Sequence, residues 1–224
     1  MTQLSRYSLL FSDLWSSINY FLVLKTFVPL LTDHLIAYVK KLAMDGGSSR
    51  TFSNEDRRKL WIRRDRAYLQ ETCRINFTSY DNRRSQDCLK VKRQSNVMVV
   101  SQDDDADEHP YWHARVIGIF QVEVIHHFPG LETPMNEPKS VDVIWVRWYG
   151  RDLDYRSGWN ARRLPRIGYD PEVPFGFLHP TQILRAAHII PAFSHGRTRD
   201  LLGPSVCRLK KENDEDWMYY YVNM

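Results

Sequence analysis

The sequence predicts an α+β fold in which N-terminal helices precede a small SH3-like antiparallel β-barrel. Composition is the first reason: of 224 residues, 43% are hydrophobic and 26% charged, which is typical of a chain with a buried core. The second reason is that helical periodicity marks the first 48 residues, whereas β-branched and aromatic runs dominate beyond residue 109. We therefore expect a helical segment over 1–48, a mixed segment over 49–108 and a barrel domain over 109–224.

The first segment is expected to contain two helices. Between Pro29 and Leu42 apolar residues recur at three- and four-residue steps, and Pro29 suits a first helical turn. Upstream, Asp13 is placed to cap a second helix that continues to about Leu24. The aromatic residues of this second helix are Trp15, Tyr20 and Phe21. Exposed aromatic side chains favour association, so the N-terminal helices are expected to pack on another protein or on a second copy.

The second segment is predicted to begin with a basic helix over residues 53–69. Ser53 and Asp56 stand at the spacing of a capping box, and Leu60 and Trp61 are among the few apolar members of an otherwise charged stretch. The elements predicted after it are a strand over 74–78, a polar loop over 81–95, a short strand over 97–100 and an acidic linker over 101–108.

The third segment has the pattern of a small β domain. Pro- and Gly-containing connections separate runs of β-branched and aromatic residues. The predicted strands are 111–124, 141–149, 183–190 and 217–222. We expect the first three to form the barrel, over about residues 109–195, and the last to be a C-terminal strand.

Sequence motifs for catalysis are absent. The chain has no Gly-x-Ser-x-Gly elbow, Walker loop, dinucleotide fingerprint or kinase signature. His109 and His113 lack the Glu of a zincin motif, and the acidic run over 103–108 lacks the Gly and Glu that a calcium loop requires. We therefore expect a non-enzymatic protein with no cofactor and no metal.

The cellular environment is suggested by cysteines and hydropathy. Three scattered cysteines, Cys73, Cys88 and Cys207, are typical of reduced thiols in an intracellular protein. The longest uncharged stretch near the N-terminus, residues 14–24, is shorter than the roughly 20 apolar residues that span a bilayer, and large side chains stand where a signal peptide would have small ones. We expect neither a membrane partner nor secretion.

The basic residues are concentrated in one part of the chain. The formal net charge is +4, yet residues 49–93 alone carry +7, and arginine, whose planar fork matches phosphate, predominates. The candidate nucleic-acid-binding residues are Arg57, Arg58, Arg63, Arg64, Arg66, Arg83 and Arg84. The alternative is a solvated helix face with internal pairs such as Glu55 with Lys59.

Aromatic residues are concentrated around the two central strands of the β domain. A barrel that opens an aromatic pocket at one end can hold a methylated lysine by cation–π attraction. The candidate pocket residues are Tyr111, Trp112, Trp148, Tyr149 and Trp159. The alternative is that about half of these side chains belong to the core, since neighbouring strand residues face opposite ways.

Several longer motifs resemble a fungal family. They are His109–Phe120, Trp145–Gly150, Tyr155–Trp159, Gly176–Leu178 and Leu184–Thr198. These motifs are similar to the C-terminal region of proteins from mushroom-forming fungi that are associated with Plavaka-type, CACTA-like DNA transposons. The resemblance covers roughly residues 27–224. A weaker likeness, over Trp112 to Trp159, is to chromo-barrel, Tudor-like and bromo-adjacent-homology modules, and is an analogy of fold only.

The resemblance implies a functional context. The chain lacks the transposase catalytic domain of such proteins, which implies an accessory domain, a fragment or a decayed copy, with no catalytic residues to carry over. We expect it to bind DNA or chromatin, in the nucleus or otherwise in the cytoplasm. The alternative is a protein–protein interaction module that contacts a transposase and has a purely structural barrel. A transposase fragment with converging carboxylates is a third possibility.

Overall fold

The structure is a computed structural model that describes residues 7–10, 21–42, 51–79, 81, 83–93, 95–101, 110–130, 137–202, 207–208 and 212–223. The structure is 52% strand and 16% helix, and one helix in its described part has seven or more residues. The predicted α+β class, with several N-terminal helices and a small SH3-like barrel, is therefore wrong. The described part of the chain is mostly β and forms a large antiparallel sheet.

The elements follow one another in chain order. The helices are α1 (Phe21–Val39) and the single turn α2 (Asn54–Arg57). The strands are β1 (Tyr7–Leu10), β2 (Leu60–Leu69), β3 (Thr72–Thr78), β4 (Arg84–Lys90), β5 (Asn96–Val100), β6 (Tyr111–His126), β7 (Lys139–Arg151), β8 (Arg166–Tyr169), β9 (Phe175–Leu178), β10 (Ile183–Pro191), β11 (Arg197–Thr198), β12 (Asp216–Trp217) and β13 (Tyr220–Asn223).

The helix α1 overlaps the helix expected from Pro29 onward but begins at Phe21, so that Pro29 lies in its interior. Of the aromatic residues expected to drive association, Trp15 and Tyr20 lie outside the described residues. No helix in the described part of the chain is long and apolar enough to cross a membrane.

The basic helix predicted over 53–69 is wrong beyond its first turn. Ser53 caps α2 as expected, because its Oγ accepts a hydrogen bond from the Asp56 amide at 3.1 Å. The chain then leaves the helix, and β2 pairs with both β1 and β6. Pairing with distant strands here outweighs the local charge pattern that favoured a helix.

Six strands close into a ring. β6 pairs with β5 on one side and β7 on the other, β7 pairs with β8, β8 with β13, β13 with β10, and β10 with β5. β1 and β2 extend the sheet along the second half of β6, and β9 pairs with β7. The ring takes β5 from upstream of residue 109, so it is not the small barrel that the sequence predicted for residues 109–195.

β6 and β7 are covered by apolar side chains on both of their faces. α1 covers one face through residues such as Leu31 and Leu35, which pack with Val122 and Trp145. The hairpin of β3 and β4 covers the other face through Ile75 and Leu89. The two layers hold β6 and β7 rigidly between them.

The interior of the ring contains a buried ion network beside an aromatic and aliphatic cluster. Arg115 and Arg147 are register partners on β6 and β7 and therefore point to the same face. Arg147 donates two hydrogen bonds of 3.0 Å to Asp216, and Arg115 donates bonds of 3.0 and 2.8 Å to Glu212. Arg208 is a second bidentate partner of Asp216, at 3.0 and 2.5 Å. The C-terminal segment thus supplies the carboxylates that neutralise the ring's arginines.

Candidate nucleic-acid interface

Arg57, the first of the predicted phosphate-binding residues, has a structural role. Its Nε and Nη2 donate hydrogen bonds of 2.7 and 2.6 Å to the two carboxylate oxygens of Asp33, which is buried on α1. The pair therefore ties α2 to α1. A guanidinium engaged in this way has little freedom to contact phosphate.

Arg63, Arg64 and Arg66 lie in a bulge of β2. The register passes from Ile62 opposite Val124 to Ala67 opposite Val122, so four residues of β2 stand against one of β6. Two successive bulge residues have left-handed backbones, Arg64 at φ 58° and the aspartate that follows it at φ 51°. Arg63 and Arg64 are exposed, whereas Arg66 is half-buried and pairs with Leu10 of β1.

The charge of this bulge is modest. Arg63 pairs with Glu123 at 3.2 Å, and Asp65 lies between Arg64 and Arg66. Arg58 is exposed after α2 and outside the bulge. These arginines therefore do not form the single basic helix face that the sequence suggested.

Arg83 and Arg84 lie elsewhere, at the turn of the β3–β4 hairpin. The Arg83 side chain is 85% exposed and pairs with Asp81 at 2.9 Å, while Arg84 opens β4 opposite Thr78. The seven predicted arginines therefore occupy three separate places.

The five predicted pocket aromatics are not brought together either. Trp112 and Trp148 pack edge to face, with ring centroids 6.0 Å apart, in the core beneath the β3–β4 hairpin. Tyr149 faces the interior of the ring, where it stacks on Tyr169, and Tyr111 is half-buried. The fifth, Trp159, is 95% exposed.

Trp159 stands at the tip of the connection between β7 and β8, residues 152–165, which we call the Trp159 loop. A bridge joins Gly158 and Arg163, with the Gly158 amide donating to the Arg163 carbonyl at 2.8 Å. Within it, the Arg162 amide donates to the Trp159 carbonyl at 3.1 Å. Gly158, at φ 101°, has a backbone conformation that other residues rarely adopt. The tip is thus a closed turn that presents an indole ring to solvent.

The base of the Trp159 loop is held by Arg166. Its Nε and Nη2 lie 2.7 and 2.6 Å from Asp152 Oδ2. The same guanidinium lies over the rings of Tyr155, at 4.1 Å, and Tyr219, at 4.4 Å from the centroids. A clamp at the base and a bridge at the tip together limit the loop's freedom, which lowers the entropy cost of binding.

The loop and the two residues that flank it are basic. Residues 151–166 contain five arginines and two aspartates, of which Asp152 is engaged by Arg166. The other four arginines, Arg151, Arg156, Arg162 and Arg163, are exposed. Among the described residues, no carboxylate forms an ion pair with any of these four. The guanidinium of Arg163 lies over the Tyr155 ring, 5.8 Å from its centroid. An exposed aromatic face in a segment with several exposed guanidinium groups suits a ligand with flat rings and negative charge, as nucleic acid has.

No known family model, curated protein or solved structure matches this chain.

Proposed function

We propose that the chain is a non-enzymatic nucleic-acid-binding protein and that the Trp159 loop is its binding element. The observation that carries the proposal is the 95% exposure of Trp159 at the tip of a hydrogen-bonded turn, in a segment with four exposed arginines. A tryptophan exposed to water does not contribute the stabilisation that burying its large apolar surface usually gives. The exposure is most simply explained by a partner that covers the ring.

The proposed partner is DNA with unpaired bases. A base can stack on Trp159, which contributes about 1–3 kcal/mol per base in proteins that bind single strands. Arg156, Arg162 and Arg163 would contact the phosphates on either side. A role beside a transposase in the nucleus, which the resemblance to transposon-associated proteins implies, belongs to the same proposal.

Fluorescence anisotropy with a labelled single strand tests the proposal. Trp159→Ala should weaken binding by about 5- to 100-fold, the equivalent of one stacked base. The matched control is Trp61→Ala, since Trp61 is 46% exposed on a different surface, against His127. Equal losses in the two variants, or no binding by the wild type at about 50 mM salt, would refute the proposal.

Salt dependence tests the phosphate contacts separately. Changing Arg156, Arg162 and Arg163 together to Ala should lower the slope of log affinity against log salt by about 2, because each single-strand phosphate contact contributes roughly 0.7. The control is the pair Arg83→Ala and Arg84→Ala on the distant hairpin. A slope that falls only in the control would move the interface to the residues that the sequence suggested.

Protein association is the competing explanation, because Leu153 is also 85% exposed in the Trp159 loop. An apolar patch that binds a second copy would give concentration-dependent oligomers by analytical ultracentrifugation. Dimers that Trp159→Ala abolishes, without any binding of DNA, would favour the interaction-module alternative.

A further inference from the structure

The closed ring contains a cavity of about 340 Å³. This volume is at the lower end of the range for small-molecule sites, about 300–1,000 Å³. One wall is a cluster of three tyrosines, Tyr149, Tyr169 and Tyr220, whose ring centroids lie 4.6 to 5.5 Å apart. The cavity lies inside the ring and is separate from the Trp159 loop, which joins β7 to β8.

The tyrosine wall is neutral and carries hydrogen-bonding groups. The Tyr149 hydroxyl lies 3.2 Å from Asn96 Oδ1 and 3.3 Å from the Tyr169 hydroxyl, which also accepts from Arg115 at 3.2 Å. Burial, followed by the neighbouring tyrosines, raises the pKa of Tyr149 and of Tyr220. The phenols of Tyr149 and Tyr220 therefore keep their protons at neutral pH and remain potential hydrogen-bond donors.

The charge of the lining is positive on balance. Arg115 and Glu212 neutralise each other in a bidentate pair, with side chains only 6% and 16% exposed. Arg93 and His188 also line the cavity, and both residues are exposed. Among the described residues, no carboxylate pairs with Arg93. A cavity with a free guanidinium at its mouth favours an anion.

The remaining wall is apolar and includes a flat ring. This wall is formed by Ala187 and Ile189 of β10 and by Trp217. The indole of Trp217 packs edge to face on Phe193, with ring centroids 5.0 Å apart. The Arg197 guanidinium lies 4.4 Å from the Trp217 ring centroid. Trp217 is therefore held in place beside the mouth.

We infer that this cavity binds a small organic anion that carries a flat ring, a class that includes mononucleotides and aromatic carboxylates. Its phosphate or carboxylate would lie at Arg93, and its ring would lie against the surface that Trp217 and the three tyrosines form together. The inference rests on the volume of the cavity, the exposed Arg93 in its lining and the aromatic residues around it. It is independent of nucleic-acid binding by the Trp159 loop.

Isothermal titration calorimetry of the full chain tests the inference with adenosine 5′-monophosphate, benzoate and uncharged adenosine. At least one of the two anions should bind with a Kd below about 1 mM. Adenosine should bind at least tenfold more weakly than its monophosphate. Failure of both anions to bind, or equal binding of adenosine and its monophosphate, would overturn the inference.

Two variants locate the binding. Arg93→Ala, at an exposed position, should weaken anion binding about tenfold, whereas the control Arg74→Ala, at an exposed position on β3, should leave it unchanged. Ala187→Leu should fill the cavity and abolish binding, with circular dichroism confirming the fold. Unchanged binding in Arg93→Ala would overturn the inference even if Ala187→Leu failed to fold. Trp159→Ala should retain the anion, which separates this site from the proposed function.

Discussion

Replacing Asp216 by Asn should destabilise the protein severely. The Asp216 side chain is 1% exposed and accepts bidentate hydrogen bonds from Arg147 and Arg208, whose side chains are equally buried. An amide in its place removes the negative charge that the two buried guanidinium groups share. Removing one partner of a buried pair costs about 3–5 kcal/mol. Since 1 kcal/mol shifts the Tm of a domain of this size by about 2–4 °C, the expected loss is roughly 6–20 °C.

The pH dependence of this loss follows from the pKa of Asp216. Burial alone would raise that pKa, but the hydrogen bonds from Arg208 and Arg147 outweigh it and lower the pKa below its ordinary value of 3.8. The folded state therefore binds this proton more weakly than the unfolded state. The stabilising contribution of Asp216 is complete above the unfolded pKa and is lost as the pH falls through the folded one. The gap between wild type and variant should be constant above about pH 5, begin to shrink near about pH 4 and close only below the folded pKa.

Thermal and urea unfolding followed by circular dichroism provides the assay. Glu215→Gln is the matched control, because Glu215 is the adjacent carboxylate and pairs with Arg199 at 3.1 Å on the surface. Such exposed pairs contribute about 0–1 kcal/mol. If Asp216→Asn cost no more than Glu215→Gln at pH 7, the view that a buried ion network holds the ring would be refuted.

Three further substitutions test other contacts. Gly176→Ala should lower the unfolding free energy by about 1–3 kcal/mol in urea titrations, because a Cβ there would overlap Nε1 of Trp148. Burial lowers the pKa of His34 to about 3, so on acidification the unfolded state takes up this proton before the folded state does. The wild type therefore loses stability between about pH 6 and 4, and His34→Leu should make that loss smaller. Arg57→Ala should cost about 1–3 kcal/mol by leaving Asp33 buried without its partner, measured by thermal unfolding.

The long strands could be found from the sequence, because side-chain alternation and β-branched residues are local signals. β6 and β7 cover the predicted runs 111–124 and 141–149 with extensions of two residues at most. β2 could not be found this way. Its charged residues follow a capping motif typical of a helix, and only its distant partners β1 and β6 make it a strand. The closure of the ring depends on similarly distant pairings, such as β5 with β10.

The candidate interface was missed for a different reason. The arginines near Trp159 lie in the segment 111–224, whose net charge is only +1. A net charge taken over so long a segment does not reveal a short stretch with excess positive charge. Counting charge over sixteen residues, from Arg151 to Arg166, would have shown a net charge of +3 beside an aromatic residue. The exposure of Trp159, by contrast, depends on the turn at Gly158 and on the clamp at Arg166, and neither is a sequence signal.

The buried ion network and the Trp159 loop are connected through β13. This strand closes the ring by pairing with β8 and β10, and it follows Asp216 directly. Beside it, Tyr219 packs against the guanidinium of Arg166, and Tyr221 stands opposite Arg166 in the ladder. Loss of the Asp216 pairs should therefore free β13, and with it the base of the Trp159 loop. A more flexible loop loses more conformational entropy when it binds. Asp216→Asn should therefore weaken single-strand binding at temperatures where the protein is still folded. Asp216 itself is remote from the proposed interface.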